Sequence, residues 1–170
     1  FYQIQQAHSD IRPWQKPHVP LFFGGASEDA KNVGARFADV YALWGEPIAA
    51  IEAQIADIRG MASEYSRKPK FSLSVRPILG ATEAQAWERA EKILASVKKS
   101  VGDSIKPGQS ARLQSVGSRR LLDFAAQGEV HDQRLYMPIA QASGAGGSTT
   151  ALVGTATQVA ESMLAYYDAG

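Results

Sequence analysis

The tetrad Gly24-Gly25-Ala26-Ser27 stands between an apolar run, Val19–Phe23, and the acidic pair Glu28-Asp29. Small residues let a backbone approach a ligand closely, and the first N–H groups of a helix have no intrahelical partner. With the partial positive charge of the helix dipole, such a strand-to-helix turn suits a phosphate. The same residues also read as a plain tight turn in which Ser27 is an ordinary N-cap. A second small-residue stretch runs from Ser143 to Thr150. Its Gly146, Gly147, Ser148 and Thr149 offer bare backbone and hydroxyls that could wrap part of a ligand, or they form a simple connector. The pattern of a nucleotide P-loop is absent there. Trp44 ends a predicted strand, where parallel α/β folds bind ligands, and there it either lines a cavity or packs in the core. Arg76 shares a small polar strand face with Ser72 and Ser74. A guanidinium so placed can clamp a phosphate, sulfonate or carboxylate bidentately, or close an internal salt bridge.

Other chemistries find no support. The chain has no cysteine, so thiolate catalysis, disulfides and sulfur-ligated zinc are excluded. His8, His18 and His131 are scattered, with no metal-ligand spacing and no Ser–His–Asp order. No catalytic residue is therefore assigned, and any catalysis falls to a cofactor. Eighteen basic residues against seventeen acidic leave a net charge of +1, too balanced for a nucleic-acid footprint. The pairs Lys98-Lys99 and Arg119-Arg120 read as solvated surface. No apolar run approaches the ~20 residues of a membrane span. The start, Phe1-Tyr2-Gln3-Ile4, has no signal-peptide character, and a chain without disulfides suits the cytoplasm. The missing initiator Met implies a chain that begins inside a longer polypeptide or was processed.

The elements that must position these residues follow a rhythm. After an irregular lead-in over 1–18, Val19–Phe23 reads as a short buried strand. A helix over 27–37 carries Val33 and Phe37 on one face. Asp39–Trp44 reads as a strand, and Ile48, Ile51, Ile55, Ile58 and Met61 recur at helical spacing. Phe71–Leu79 alternates, with Phe71, Leu73, Val75 and Pro77 on one face. Thr82 to Gln85 forms a capping box for a helix with Trp87, Ala90, Ile93, Leu94 and Val97 on one stripe. Alternating strands and helices argue for parallel strands joined by crossover helices. Residues 100–143 break the rhythm with Gly102, Pro107, Gly108 and Gly117, leaving room for a short helix at 121–124, and read as an insertion. The glycine loop and a last helix, capped by Thr155 or Thr157 with Val159, Met163, Leu164 and Tyr167 inward, complete 144–170. The whole is a single domain of 170 residues: βα units over 1–99, the insertion over 100–143, and the final loop and helix.

Several stretches in order resemble the bacterial-luciferase-like flavin monooxygenases, most closely the alkanesulfonate monooxygenases. They are Pro17 to Ser27, Ala38 to Pro47, Thr82 to Trp87 and Thr150 to Gly154. The resemblance implies a TIM barrel, of which this chain would be a part with three parallel strands, and which would be inactive alone. It implies reduced FMN delivered by a flavin reductase, O2, a small organic substrate and a homo-oligomer. It places Gly25, Ala26 and Ser27 at the FMN phosphate and Trp44 in the active site, with Gly24 and Trp44 counted among the cofactor-binding residues. Ser74, Arg76 and the loop Gly146–Thr149 would face the substrate. The alkanesulfonate enzymes carry Arg-x-His where this chain has Ser74-Val75-Arg76, and an arginine near Ala145 or Gly146 that this chain lacks. The substrate is then an alkanesulfonate or another oxidisable organic compound. A deazaflavin-dependent oxidoreductase of the same superfamily, or a truncated non-catalytic paralogue, are the alternatives.

Overall fold

The computed structural model describes residues 3–101, 115–147 and 149–170. Residues 3–21 carry no regular structure. Strand β1 is only Phe22–Phe23, followed by α1 (Glu28–Phe37), β2 (Val40–Trp44) and α2 (Ile48–Glu64). Then come β3 (Lys70–Ser74), β4 (Arg76–Leu79), α3 (Glu83–Val101) and α4 (Val116–Gln127). The hairpin β5 (Val130–His131) and β6 (Leu135–Tyr136), the short α5 (Pro138–Ala142), β7 (Ala151–Gly154) and α6 (Ala156–Asp168) close the order. One sheet runs β1-β2-β3, all parallel; the other runs β4-β7-β6-β5, with β4 and β7 parallel and the hairpin antiparallel.

The predicted rhythm holds, with four corrections. First, the expected strand Phe71–Leu79 breaks at Val75. Its first half pairs with β2 and its second half with β7, and the faces change with the partner: Ile78 is buried against Ala86, Ala90 and Leu94, while Pro77 is exposed. Second, Ala151–Gly154 is itself a strand, parallel to β4, rather than a lead into a helix; with the break at Val75 the parallel strands are β1, β2, β3, β4 and β7, which corrects the count of three. Third, Val19–Phe23 is neither a full strand nor buried. Pro20 has no N–H to give a ladder, the Leu21 N–H goes to the Asp39 carboxylate at 2.8 Å, and Phe22 lies on an uncovered face. Fourth, the described part of the insertion is built. Its short helix is the twelve-residue α4, capped by Ser115, and its hairpin extends the second sheet. The expected breaks at Gly102, Pro107 and Gly108 lie outside the described residues.

In α1 the packed face differs from the apolar periodicity for a steric reason. In α1 the buried residues are Gly34 and Ala35, while Val33 and Phe37 are exposed. The Tyr41 ring fills the space beside Gly34: a Cβ there would stand 2.8 Å from Tyr41 Cδ2 and 2.9 Å from Phe23 Cδ1. Large side chains are thus displaced outward. In α2 the periodicity is kept, with Ile51, Ile55, Ile58 and Ala62 buried. In α3 the stripe is Ala86, Ala90 and Leu94. In α6 Val159 and Tyr166 are buried, but Met163, Leu164 and Tyr167 are exposed. Met163 and Tyr167 border an apolar groove of about 340 Å³ between α2, β3 and α6. The N-caps fall where the sequence puts them: Ser27 accepts from the Ala30 N–H, and Thr155 forms a capping box with Gln158. Thr82 Oγ1 accepts from the Gln85 N–H at 3.3 Å.

Asp39 fastens β1 to the body. It accepts from the Leu21 N–H, receives Arg67 Nη2 at 3.0 Å and stands 3.6 Å from His18 Nδ1. The Leu21 hydrogen bond, then His18 and Arg67, hold its carboxyl below the ordinary value. A depressed folded pKa contributes stability that is complete above the unfolded value and is lost as pH falls through the folded one. Asp39→Asn is therefore expected to flatten the loss of stability below about pH 4. Urea midpoints on either side of that pH check it, and an unchanged acid slope would remove Asp39 from the response.

Candidate functional site

The ends of β1 and β2 open on a cleft of about 260 Å³. Gly24–Ala26 form one wall, Ala42–Trp44 the floor, Glu46 and Gln54 a polar side, and Ser115 and Gly117 of the α4 start the fourth. The two glycines are set by close approach. A Cβ on Gly24 would stand 3.1 Å from the Ala42 carbonyl oxygen, and one on Gly25 would stand 2.5 Å from Ala30 Cβ. Ser27, in extended backbone at φ −77°, turns the chain into α1 and caps it at 3.2 Å. Among the described residues the N–H groups of Gly25, Ala26 and Ser27 have no hydrogen-bond partner. Glu28 and Asp29 occupy the first turn and Arg36 the last, in keeping with the helix dipole. Trp44 carries α4 on its ring: a Cβ on Gly117 would stand 3.1 Å from Trp44 Cζ3.

The polar side was not legible in the sequence. Glu46 is 3 % exposed. Arg120 meets it bidentately, Nε to Oε1 at 2.9 Å and Nη2 to Oε2 at 2.5 Å, and Gln54 Nε2 donates to Oε2 at 2.9 Å. The hydrogen bond that it donates to Glu46 holds the Arg120 guanidinium above its usual range. The Tyr166 hydroxyl donates to the Glu46 carbonyl oxygen at 2.8 Å, and burial pushes that phenol up. Arg120, expected at the solvated surface, is thus half-buried and paired to a buried carboxylate, whereas Arg119 is exposed. The signal for Glu46 was its place at a strand end, in Gly45-Glu46-Pro47; nothing nearby pointed to its partner.

The cleft brings together Gly24, Gly25, Ala26 and Trp44; Ser27 stands just beyond its wall. The other candidates lie elsewhere. Ser74 ends β3, and its carbonyl accepts the Gly45 N–H at 3.0 Å. Arg76 is exposed on β4 and lines no part of the cleft. Gly146, Gly147 and Thr149 sit on the loop before β7, where Thr149 Oγ1 donates to the Gly147 carbonyl at 3.3 Å. Ser148 lies outside the described residues. Ala145 of that loop is buried, with its carbonyl on Ser118 Oγ of α4 at 2.7 Å. Among the described residues no cluster of three His, Cys, Asp or Glu side chains is placed to hold a metal, and no helix is long and apolar enough to cross a membrane.

A parallel sheet whose strand ends open on a cleft narrows the fold to a class, and comparison with known proteins decides the family. The model of a family described as luciferase-like monooxygenase matches residues 1–170. The chain belongs to the luciferase-like monooxygenase family. Among solved structures, this luciferase-like chain is similar to a riboflavin lyase solved with modified FMN and its substrate riboflavin (TM-score 0.63, 20% identity, 87% of this chain and 36% of that one). It is similar to an EDTA monooxygenase from Chelativorans sp. BNC1 (TM-score 0.61, 18% identity, 93% and 38%). A coenzyme F420-dependent tetrahydromethanopterin reductase from Methanopyrus kandleri also shares the fold (TM-score 0.52, 14% identity, 89% and 42%). At these identities the likeness concerns the fold. The luciferase-like chain spans 36% to 42% of these three proteins.

Proposed function

We propose that this chain supplies the cofactor-phosphate end of a flavin-dependent monooxygenase, with reduced FMN as cofactor and O2 and a small organic compound as substrates. The observation that carries the reading is the cleft between Gly24–Ala26 and Trp44, which joins unpartnered backbone N–H groups to an aromatic floor. Those groups fit FMN. A phosphate has acceptor oxygens for the N–H groups and negative charge for the α1 dipole, and Trp44 offers an apolar surface to a ring. Bound FMN would supply the redox chemistry. The residues here would hold its phosphate, with Ser27 Oγ–H free to donate outward while its lone pair caps α1.

The parallel strands are, in this reading, part of a TIM barrel whose other strands lie in further chain or another copy, and the unit alone is inactive. A flavin reductase, a homo-oligomeric state and a cytoplasmic setting belong to the same proposal. Arg76, Ser74 and the loop Gly146–Thr149 would reach substrate only once that remainder is assembled. The substrate is an alkanesulfonate or another oxidisable organic molecule. Membership in a fold shared with an F420-dependent reductase supports a second reading, hydride transfer with a deazaflavin, which the absorbance of the bound cofactor distinguishes.

Titration of the complete gene product with reduced and oxidised FMN, alongside this segment, is the test. Micromolar binding by the whole protein is the expected result; no binding by either would sink the flavin reading. Ser27→Ala is expected to lose about 1–3 kcal/mol of FMN affinity, the range of a hydrogen bond to a charged group. An unchanged affinity would leave Ser27 as a helix cap alone.

A further inference from the structure

The buried side of the glycine turn is held by one hydrogen bond that the cofactor reading does not use. The Tyr41 hydroxyl, on β2, donates to the Gly25 carbonyl oxygen at 2.6 Å. Tyr41 has no exposed surface. Its ring is fixed on two sides, by the Gly34 backbone, which leaves no space for a Cβ, and by Phe23, edge-on at 6.0 Å and 71°. Burial raises its phenol to about 12, so at neutral pH it keeps the proton that it donates.

The Gly25 carbonyl and the Ala26 N–H belong to one peptide unit. Among the described residues the cis peptide is Lys16-Pro17, so this unit is trans. In a trans peptide the C=O and N–H point in opposite directions. A carbonyl pinned inward to Tyr41 turns the Ala26 N–H outward. Ala26 lines the cleft, and its N–H has no partner among the described residues.

We propose that Tyr41 is a positioning residue that aims the Ala26 N–H into the cleft, where it meets the anionic phosphate end of the ligand. The proposal rests on the phosphate reading above. Tyr41 never touches the ligand; it removes the freedom of the Gly25–Ala26 peptide to rotate. Without the phenol oxygen the Gly25 carbonyl loses its partner, and the plane is free to turn the N–H away.

The test is the pair FMN and riboflavin, which differ only by the phosphate. Dissociation constants are measured by flavin fluorescence on the complete protein and on Tyr41→Phe, which keeps the ring and deletes the hydroxyl. FMN affinity is expected to fall roughly fivefold, the loss of one hydrogen bond, with riboflavin affinity unchanged. Equal losses for both ligands would mark a merely structural residue and overturn the proposal; so would no loss for either. If the wild-type protein itself binds FMN no tighter than riboflavin, the phosphate reading fails first and the Tyr41 role fails with it. A second measurement needs no variant. Inorganic phosphate added to the wild-type protein is expected to shift the Ala26 amide resonance, and an unmoved Ala26 amide overturns the proposal.

Discussion

Arg120→Ala is expected to destabilise the protein by about 3 kcal/mol, the lower end of the range for removing one partner of a buried ion pair. An exposed pair would contribute no more than about 1 kcal/mol. The geometry decides between these values. The Arg120 side chain is 35% exposed, but that of Glu46 is only 4% exposed. Among the described residues, removing the guanidinium leaves a buried carboxylate with Gln54 Nε2 as its remaining side-chain donor. Urea midpoints at neutral pH measure the loss. Arg120→Lys is expected to recover only part of it, because an ammonium cannot reproduce the two-pronged contact. The double variant Glu46→Met, Arg120→Met is expected to be more stable than Arg120→Ala, since no unpaired charge remains and Gln54 can turn to water. A loss under 1 kcal/mol for Arg120→Ala would return the pair to the surface class.

Gly34→Val is the second large effect, expected at about 1–3 kcal/mol of lost stability from overpacking. Helix propensity does not offset it, because valine gains only a few tenths of a kcal/mol over glycine in a helix. The added Cβ meets the Tyr41 ring and stands 2.9 Å from Phe23 Cδ1. Tyr41 cannot retreat without leaving the Gly25 carbonyl. The substitution should therefore lower both the thermal midpoint and FMN affinity, linking a core contact to the cleft. Gly60 is the internal control. It lies on the exposed face of α2 with nothing within 4 Å of an added Cβ. A neutral or stabilising Gly60→Ala beside a destabilising Gly34→Val would assign the effect to the ring contact rather than to loss of a helical glycine.

The contrast between these sites explains which parts of the molecule could be read from the chain. The turn Gly24–Ser27 and the α2 face were legible because their causes are local: small residues, a capping hydroxyl and isoleucines at helical spacing. The Glu46–Arg120 pair was not, because its partners are 74 residues apart and Arg119-Arg120 has the composition of solvated surface. The α1 face was misread because hydrophobic periodicity counts apolar side chains. What sets this contact is the volume of an aromatic ring arriving from β2. The break at Val75 was invisible for another reason. Alternation reports which way a side chain points, not which neighbouring strand supplies its hydrogen bonds. Only the exchange of β2 for β7 reveals that Ile78, not Pro77, enters the core. Trp44 was placed correctly at a strand end, but its covering by Gly117 depended on a helix that starts far along the chain.

The two-residue strands Phe22–Phe23 and Val130–His131 each form an outer edge of their sheet. An edge this short presents few unsatisfied backbone groups, so it is a poor template for strand-by-strand growth into fibres. Just before the first, the Leu21 N–H is already taken by Asp39. Contact with another polypeptide at β1 would therefore draw on side chains such as Leu21 and Phe22, which are 43% and 67% exposed, more than on an extended backbone ladder. Oily contacts at these two ends can form and separate without committing the chain to amyloid-like order, which leaves the longer outer edges, β3 and β4, as the places where a backbone ladder has room to grow.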